Sequence, residues 1–325
     1  MISWGPRQVM LKDHTRFNNS LKWILSVSPL LYLGTVLIWG TTWLAIAFQV
    51  GDVTVEVSAF YRFALAAIIQ ISFMMLLRKL NWVPIKQHKW FILQGWLLFC
   101  LNFIFFYKSA VHISSGLIAV VFSMATVFNM FNGFLFHRII PTSRSLVGAA
   151  LGASGVCALF WEDLITGGWS GSNLTGLLLA MGGTYCFSLG NMVSQHQQKQ
   201  GRDVLTANSY ALVYGSITLG MWCLFQGYSF ELENTVKYLG SLTYLAIPGT
   251  IIGFAMYLKL VGRVGAEKAA YSTVLFPVVA LSLSTLFEGY IWTPVSLGGV
   301  VLALAGNLVI FAKRKAQPMR EIKAA

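Results

Sequence analysis

Long apolar stretches without Asp, Glu, Lys or Arg follow one another along almost the whole chain, separated by short charged segments. Most reach the about 17 to 25 residues that a helix needs to cross the hydrocarbon core of a bilayer. No segment alternates as the strands of a membrane β-barrel do. The pattern predicts an all-α polytopic membrane protein with ten transmembrane helices, spans 1 to 10, at 23–51, 57–61 with 63–77, 90–107, 109–137, 145–161, 164–198, 204–230, 238–258, 269–287 and 289–312.

The composition excludes a water-facing exterior. Of the 325 residues, 56% are hydrophobic and 10% are charged, whereas soluble globular chains carry about 25% charged residues. So few charges cannot cover a soluble surface, and most of the outside must therefore face lipid. The same composition excludes a disordered chain and a disulfide-rich scaffold.

The charged residues are distributed unequally between the two ends of the spans. If both termini are cytoplasmic, the cytoplasmic segments carry 20 of the 23 Lys and Arg residues, and the outer side carries only Lys108 and Lys237. This distribution follows the positive-inside rule. We therefore expect a multi-pass protein of the cell inner (plasma) membrane with cytoplasmic termini. The net charge of +12 is attributed to topology rather than to nucleic-acid binding.

The chain also repeats itself at an offset of 151 residues, with twelve identical pairs between 103 and 155 that include Phe103 with Phe254 and Lys108 with Lys259. Five spans per copy is an odd number, so the second copy must be inverted relative to the first, with a central cavity between the two. The predicted organisation is a cytoplasmic N-terminal segment at 1–28, a first five-helix repeat at 29–165, a second five-helix repeat at 170–312 and a cytoplasmic basic tail at 313–325.

Several short motifs occur in a defined order: Trp39-Gly40-Thr41-Thr42-Trp43, Arg62-Phe63, Ser114-Ser115-Gly116, Ser188-Leu189-Gly190-Asn191, Gly265-Ala266-Glu267-Lys268-Ala269-Ala270-Tyr271, Pro277-Val278 and Glu288. Together they resemble the ten-helix EamA-type branch of the drug/metabolite transporter superfamily. Two positions depart from the family pattern, since Thr126 replaces a proline and His137-Arg138 replaces a Gly-Glu pair. The resemblance implies a cavity surrounded by spans 1, 3, 4, 6, 8 and 9 and export of metabolites, often amino acids.

Polar and aromatic residues near the middle of the spans are the candidate substrate-binding residues, since in lipid they need a partner or a water-lined cavity. Trp39 and Trp43 share one helix face and could form the wall of a binding site, although packing at a helix crossing explains them equally well. Asn102 and Asn191 carry amides that lipid cannot satisfy, and the alternative for them is a hydrogen bond between helices. The candidates are Trp39, Thr42, Trp43, Asn102, Ser123, Tyr185, Ser188, Asn191, Tyr271 and Pro277.

Arg62 is the only charged residue inside a span, about five residues from its outer end. From this depth an arginine can extend to the membrane surface. The alternatives are a salt bridge with Glu56 or Glu288, or a contact with a substrate carboxylate. Arg62 and Glu288 are therefore predicted to be structural or gating residues.

Prolines are expected to bend two spans. Pro277 would remove a hydrogen bond in the middle of span 9, and Pro248-Gly249 would do the same in span 8. Such bends would either open carbonyl groups toward a cavity or only adapt the shape of the helix, and Pro248 and Gly249 are counted with the structural or gating residues. Tyr257 and Lys259 are interpreted as an interfacial aromatic residue and a topological charge.

Small residues are clustered on one face of each of two spans. Glycines line one face of span 5, from Gly148 to Gly155, and one face of span 10, from Gly298 to Gly306, which predicts close helix packing or a dimer contact.

No P-loop motif is present, so ATP does not drive this protein directly. Cysteines and histidines show no metal-like spacing, and we expect no catalytic residue, metal or cofactor.

The sequence thus favours a secondary or facilitative transporter that exports small amphipathic metabolites such as amino acids by alternating access. Its expected partners are a small-molecule substrate and the lipid bilayer, with the chain as a monomer or weak homodimer. The spans lack a deep carboxylate, which disfavours proton coupling and also disfavours compact multivalent cations as substrates. Large delocalised cations remain possible substrates, because aromatic side chains can bind them through cation-π contacts. An integral-membrane enzyme and a non-transporting assembly subunit are the alternative functions.

Overall fold

The computed structural model describes residues 29–138, 140–161 and 171–311. The predicted segments 1–28 and 313–325 lie outside these ranges, as does the boundary between the two predicted repeats. Every regular element in the described part of the chain is helical. In chain order these are α1 (Pro29–Ala47), α2 (Val55–Leu76), α3 (Ile85–Ala110), α4 (Ser115–Phe136), α5 (Ser143–Leu159), α6 (Ser172–Lys199), α7 (Val204–Phe225), α8 (Val236–Val264), α9 (Ala266–Ala269, Ala270–Val274 and Phe276–Phe287) and α10 (Pro294–Phe311).

Six of these helices, α1, α2, α3, α4, α6 and α8, are long and apolar enough to cross a membrane. The helices α5, α9 and α10 are apolar but shorter, and α7 has 22 residues with several polar side chains. Large apolar side chains such as Leu76 and Phe225 are exposed on the outside of the bundle, where lipid would cover them. The chain is thus a multi-pass helical membrane protein, and the count of ten spans stays a prediction.

Side chains at the helix ends explain several of these boundaries. Asp203 Oδ2 accepts a hydrogen bond from the backbone N–H of Thr206 at the start of α7 (2.8 Å), and Thr142 and Thr235 cap α5 and α8 in the same way. Such caps satisfy backbone donors that the helix itself cannot. Gly265 follows α8 with a φ of +86°, a conformation that a residue with a Cβ adopts only with strain, so the chain can turn sharply into α9.

Four helices depart from regular α geometry near their middle. Wide π-helical turns occur at Trp96–Leu101 in α3 and at Leu245–Ile252 in α8. The helix α4 is interrupted after Phe122, and α9 is interrupted at Leu275. The wide turn of α8 begins within two residues of the position 151 residues after the start of the wide turn in α3. The interruption of α9 lies equally close to the position 151 residues after the interruption of α4.

The glycine faces predicted in spans 5 and 10 pack against each other within the chain. A Cβ built on Gly155 would lie 2.4 Å from the backbone nitrogen of Ala303, and one built on Gly306 would lie 2.4 Å from the backbone nitrogen of Gly152. The two backbones therefore approach so closely that only glycine fits. These glycines pack against each other inside one molecule and are therefore not available for a dimer contact, whereas Gly298 faces open space.

The helices enclose a main apolar core, and a smaller second cluster lies between α2, α7 and α8. The main packing partners include α3 with α6 and with α7, α2 with α7, and α4 with α9. Aromatic side chains fill the centre, where Trp39 contacts Phe187 at 5.8 Å and Phe254 at 4.8 Å between ring centroids. This aromatic centre surrounds the small cavity that forms the candidate site.

Candidate functional site

A buried cavity of about 30 Å³ lies between the helices, about the volume that one water molecule occupies in the liquid. Side chains from α1, α2, α3, α4, α6 and α8 line it. This set differs from the expected one, because α2 takes part through Arg62, while none of the described side chains of α9 is among the lining residues. The lining consists of Trp39, Thr42, Trp43, Ile46, Arg62, Asn102, Phe103, Phe106, Phe122, Phe187 and Phe254.

Arg62 lies inside the protein rather than at its surface, with 2% of its side chain exposed. Its Nε donates a hydrogen bond to Thr250 Oγ1 (3.0 Å), and the guanidinium carbon lies 4.4 Å from the ring centroid of Phe103. Its Nη1 is buried without a hydrogen-bond partner. The interpretation that Arg62 extends to the membrane surface is therefore wrong.

The salt bridges considered for Arg62 are not formed either. Glu56 pairs instead with Lys108, at 2.9 Å between Oε1 and Nζ. The Glu288 carboxylate accepts hydrogen bonds from the backbone N–H of Ser115 (3.2 Å) and from its hydroxyl, and so ties the end of α9 to the start of α4. Within the described ranges, no carboxylate neutralises Arg62.

The three α1 candidates all line the cavity but differ in how their polar atoms are satisfied. Trp39 Nε1 donates to the carbonyl oxygen of Gly249 (2.9 Å), and Thr42 Oγ1 donates to the carbonyl oxygen of Trp39 (2.9 Å). Trp43 packs against Phe106 and Phe122, and its Nε1 is buried without a partner. Of these three side chains, Trp43 therefore has a donor available for a ligand.

Asn102 is a further available polar group, beside Arg62 and Trp43. It follows the wide turn of α3 and is 1% exposed. Among the described residues, neither its amide nitrogen nor its amide oxygen has a hydrogen-bond partner. Since a buried unpaired amide costs about 1 to 3 kcal/mol, this arrangement fits a side chain that a ligand or water satisfies in part of the cycle.

Asn191 is placed differently from Asn102, outside the cavity lining. Its Nδ2 donates to the hydroxyl of Tyr257 (3.1 Å), while its Oδ1 stays unpaired. Tyr257 is fully buried and its ring lies 4.9 Å from that of Trp39. The interpretation of Tyr257 as an interfacial belt residue is therefore wrong, because α8 continues past it to Val264.

Ser188 belongs to a separate polar network between α4 and α6. Its hydroxyl donates to Asn129 Oδ1 (2.7 Å) and accepts from Asn132 Nδ2 (2.8 Å). Ser123 instead faces α10, where it accepts a hydrogen bond from Asn307 Nδ2 (3.3 Å). Tyr185 is half-buried and packs on Phe128. The structure thus places these candidates away from the cavity.

The proline and glycine candidates have structural positions. Pro248 lies inside the wide turn of α8, and the Gly249 carbonyl binds Trp39 from there. Pro277 lies in the first turn of the last α9 segment, where its missing N–H would have no helical partner in any case. The helix is thus interrupted in the middle of the predicted span 9, two residues before Pro277, rather than bent at Pro277 itself. The side chain of Tyr271 lies outside the described part of the chain.

The sequence reasoning missed the aromatic walls of the cavity. Phe103, Phe106, Phe122, Phe187 and Phe254 look like any other apolar residue of a span. One signal was available, because Phe103 and Phe254 are an identical pair in the internal repeat. Both rings line the cavity, so this repeated pair points to the site.

Hydrogen bonds link helices on both sides of the cavity. On the predicted outer side, Tyr107 donates to Gln49 Oε1 (2.6 Å), near the Lys108 to Glu56 pair. On the predicted inner side, Gln197 Nε2 donates to Gln94 Oε1 (2.6 Å). A cavity of this size, with contacts on both sides, is too small for an amino acid without rearrangement of the helices.

Comparison with known proteins agrees with this architecture. An "Uncharacterized transporter" of Archaeoglobus fulgidus is 25% identical over 86% of this chain and 97% of its own length. A "Probable amino-acid metabolite efflux pump" of Salmonella typhimurium is 26% identical over 59% of this chain and 66% of its own length.

A crystal structure with 14% sequence identity superposes with a TM-score of 0.64, covering 88% of this chain and 97% of that one, which indicates a shared fold. The model of the EamA-like transporter family matches the chain twice, at residues 27–161 and 174–312. These two matches span most of the sequence, and the chain belongs to the EamA-like transporter family.

Proposed function

We propose that this protein is a secondary or facilitative transporter that exports small amphipathic metabolites, such as amino acids, by alternating access. The observation that carries the proposal is the cavity, which has aromatic walls and buried polar atoms without partners. Those atoms belong to Trp43, Arg62 and Asn102. Buried polar groups are normally satisfied, so their convergence on one cavity indicates a site that exchanges its occupant.

The proposal includes ten spans arranged as two inverted five-helix repeats. Three observations support it. The family model matches once in each half, and the wide turns and helix interruptions recur at about the same offset as the sequence repeat. In addition, α2 packs on α7, α4 on α9 and α5 on α10, so three helices contact their own counterparts, as expected around a pseudo-two-fold axis.

Alternating access would act through the contacts on either side of the cavity. Opening toward the outside separates the Tyr107 to Gln49 and Lys108 to Glu56 contacts. Opening toward the cytoplasm separates Gln94 from Gln197 and Gln198 Nε2 from the carbonyl oxygen of Leu258. The tight glycine contact between α5 and α10 stays closed in both states and holds the halves together.

The remaining parts of the proposal concern substrate and location. Amino acids and related metabolites fit the cavity chemistry, and one relative carries a name of this kind. The excess of Lys and Arg at one side supports an inner (plasma) membrane protein with cytoplasmic termini. A monomer, or at most a weak homodimer, suits the glycines of α5 and α10, which pack within the chain.

The test is counterflow of radiolabelled amino acids in liposomes that contain the purified protein. At least one solute should accumulate about tenfold above empty liposomes, and Trp39→Ala should abolish this uptake while the exposed control Thr243→Val should not. Absence of flux for every amino acid, with protein correctly folded, would contradict the proposal. Flux that appears only after a co-purified protein is added would favour an assembly subunit, and conversion of a labelled lipid would favour an enzyme.

A further inference from the structure

The cavity contains a positive charge that the described part of the protein does not balance. Among the described side chains that line it, Arg62 is the only charged one. The two acidic residues considered as its partners are engaged elsewhere, Glu56 with Lys108 and Glu288 with Ser115. In the described part of the chain, Arg62 interacts with Thr250, Tyr107 and the rings of Phe63 and Phe103, none of which carries a negative charge.

A buried guanidinium without a counter-ion is unusual. Desolvation of an ion is costly, and buried arginines normally pair with a carboxylate or phosphate. The cation-π contacts with Phe63 and Phe103 offset part of this cost. Nη1 is nevertheless left with unused donor capacity, and the natural complement is a carboxylate, which matches the planar fork of a guanidinium.

Two neutral donors line the same cavity. Trp43 Nε1 and Asn102 Nδ2 are both buried and both unpaired. A carboxylate has about four lone-pair positions and can accept from all three side chains at once. Apart from Thr42, the rest of the wall is apolar or aromatic, so it suits the hydrocarbon body of a solute, and its ring faces can also contact an ammonium group such as that of an amino acid.

We propose that Arg62, Asn102 and Trp43 form a carboxylate-binding subsite, and that the substrate is a monocarboxylate with an apolar or aromatic body. This inference rests on the proposed transport function and specifies its substrate class. A solute whose only charge is positive would meet the uncompensated guanidinium and is excluded, so the large delocalised cations left open by the sequence are not substrates. A carboxamide brings no negative charge to neutralise Arg62 and binds far more weakly than the acid.

The experiment uses matched pairs of probes, each amino acid of the standard set beside its own carboxamide, together with acetate beside acetamide. Thermal stabilisation of the detergent-purified full chain measures binding, since a ligand that binds only the folded state raises its Tm. Counterflow in liposomes measures transport of the same probes. The wild type should bind at least one acid about tenfold or more tightly than its amide, with the same order in transport.

The variant Arg62→Met removes the charge and keeps a side chain of similar length. It should lose the preference for acids while remaining folded, and Lys199→Met, which removes an exposed charge, should keep it. Equal binding and flux of an acid and its amide would overturn the inference while leaving the transport function intact. Stabilisation by chloride but by no acid would also overturn it, by assigning the cavity to an inorganic ion. Absence of any flux would instead overturn the transport function itself.

Discussion

Two buried polar clusters lie in the same bundle and use the same kinds of side chain, but they differ in how their hydrogen bonds are arranged. In the network of Asn129, Asn132 and Ser188, one hydroxyl links both amides and α4 is held against α6, while Asn132 Oδ1 has no partner within the described residues. In the cavity, Asn102 has no partner for either amide atom, and Trp43 has none for its indole N–H. Both clusters contain an asparagine with less than about 2% exposure.

The difference teaches that burial alone does not separate a structural polar residue from a binding residue in a membrane bundle. A polar group that is satisfied by its neighbours gains little from a ligand, whereas an unsatisfied one gains the full hydrogen bond. Substitutions in the two clusters should therefore have opposite signatures. Changes in the cavity reduce transport, and changes in the network reduce stability.

Among substitutions in these two clusters, the largest effect is expected for Asn102→Leu. The substitution removes the amide donor and acceptor from the cavity and replaces them with an apolar group of similar size. Flux of the transported acid should fall by about 30-fold or more, in line with the loss of about 2 kcal/mol that hydrogen bonds to a charged group contribute. The Tm of the purified variant should not decrease, because the amide makes no hydrogen bond in the protein. A lower Tm with normal flux per folded molecule would show that Asn102 stabilises the protein and does not bind the substrate.

The opposite signature is expected for Ser188→Ala. Loss of the hydroxyl leaves Asn129 Oδ1 and Asn132 Nδ2 without this partner, and should cost about 1 to 3 kcal/mol of stability. Thermal unfolding in detergent should show a Tm lower by several degrees, while KM for the transported solute stays within about twofold of the wild type. A raised KM with unchanged Tm would place Ser188 in the binding site.

The smallest effect is expected for Trp43→Phe, which keeps a ring in the cavity wall and removes only the Nε1 donor. KM should rise by about fivefold, the equivalent of about 1 kcal/mol, without a change in maximal rate. The matched control is Thr42→Val, because the Thr42 hydroxyl already bonds to its own helix and its loss should leave KM unchanged. Equal effects of the two substitutions would show that wall shape, rather than the indole N–H, determines affinity.

Much of the helical framework could be predicted because a membrane limits the possibilities. Stretches without charge had to become helices, and the helices α2, α5 and α10 lie close to the windows that the pattern defines. The details inside the helices could not be predicted in the same way. Nothing in the residues from Trp96 to Leu101 announces a wide turn, because such a turn depends on how α3 packs against its neighbours.

The site could also be predicted in part, because the membrane limits where polar side chains can lie. Trp39, Thr42, Trp43 and Asn102 stood out because polar and indole groups are rare at that depth, and all of them line the cavity. Ser188 and Ser123 stood out equally, yet their partners lie on other helices, and no local pattern shows which partner a side chain will meet. The burial of Arg62 could not be read from its depth in span 2, since it depends on the face of α2 that meets Thr250.

The wide turns of α3 and α8 have a consequence for how such a protein could change its selectivity. Each wide turn contains one residue more than a regular α-helical turn. Asn102 follows directly after one of these turns, while Gly249 and Thr250 lie within the other. If the extra residue moves by one position along the helix, the neighbouring side chains rotate by about 100° about the helix axis and the helix does not unfold. A single substitution that relocates the bulge could therefore present a different residue to the solute while the lipid-facing surface stays the same.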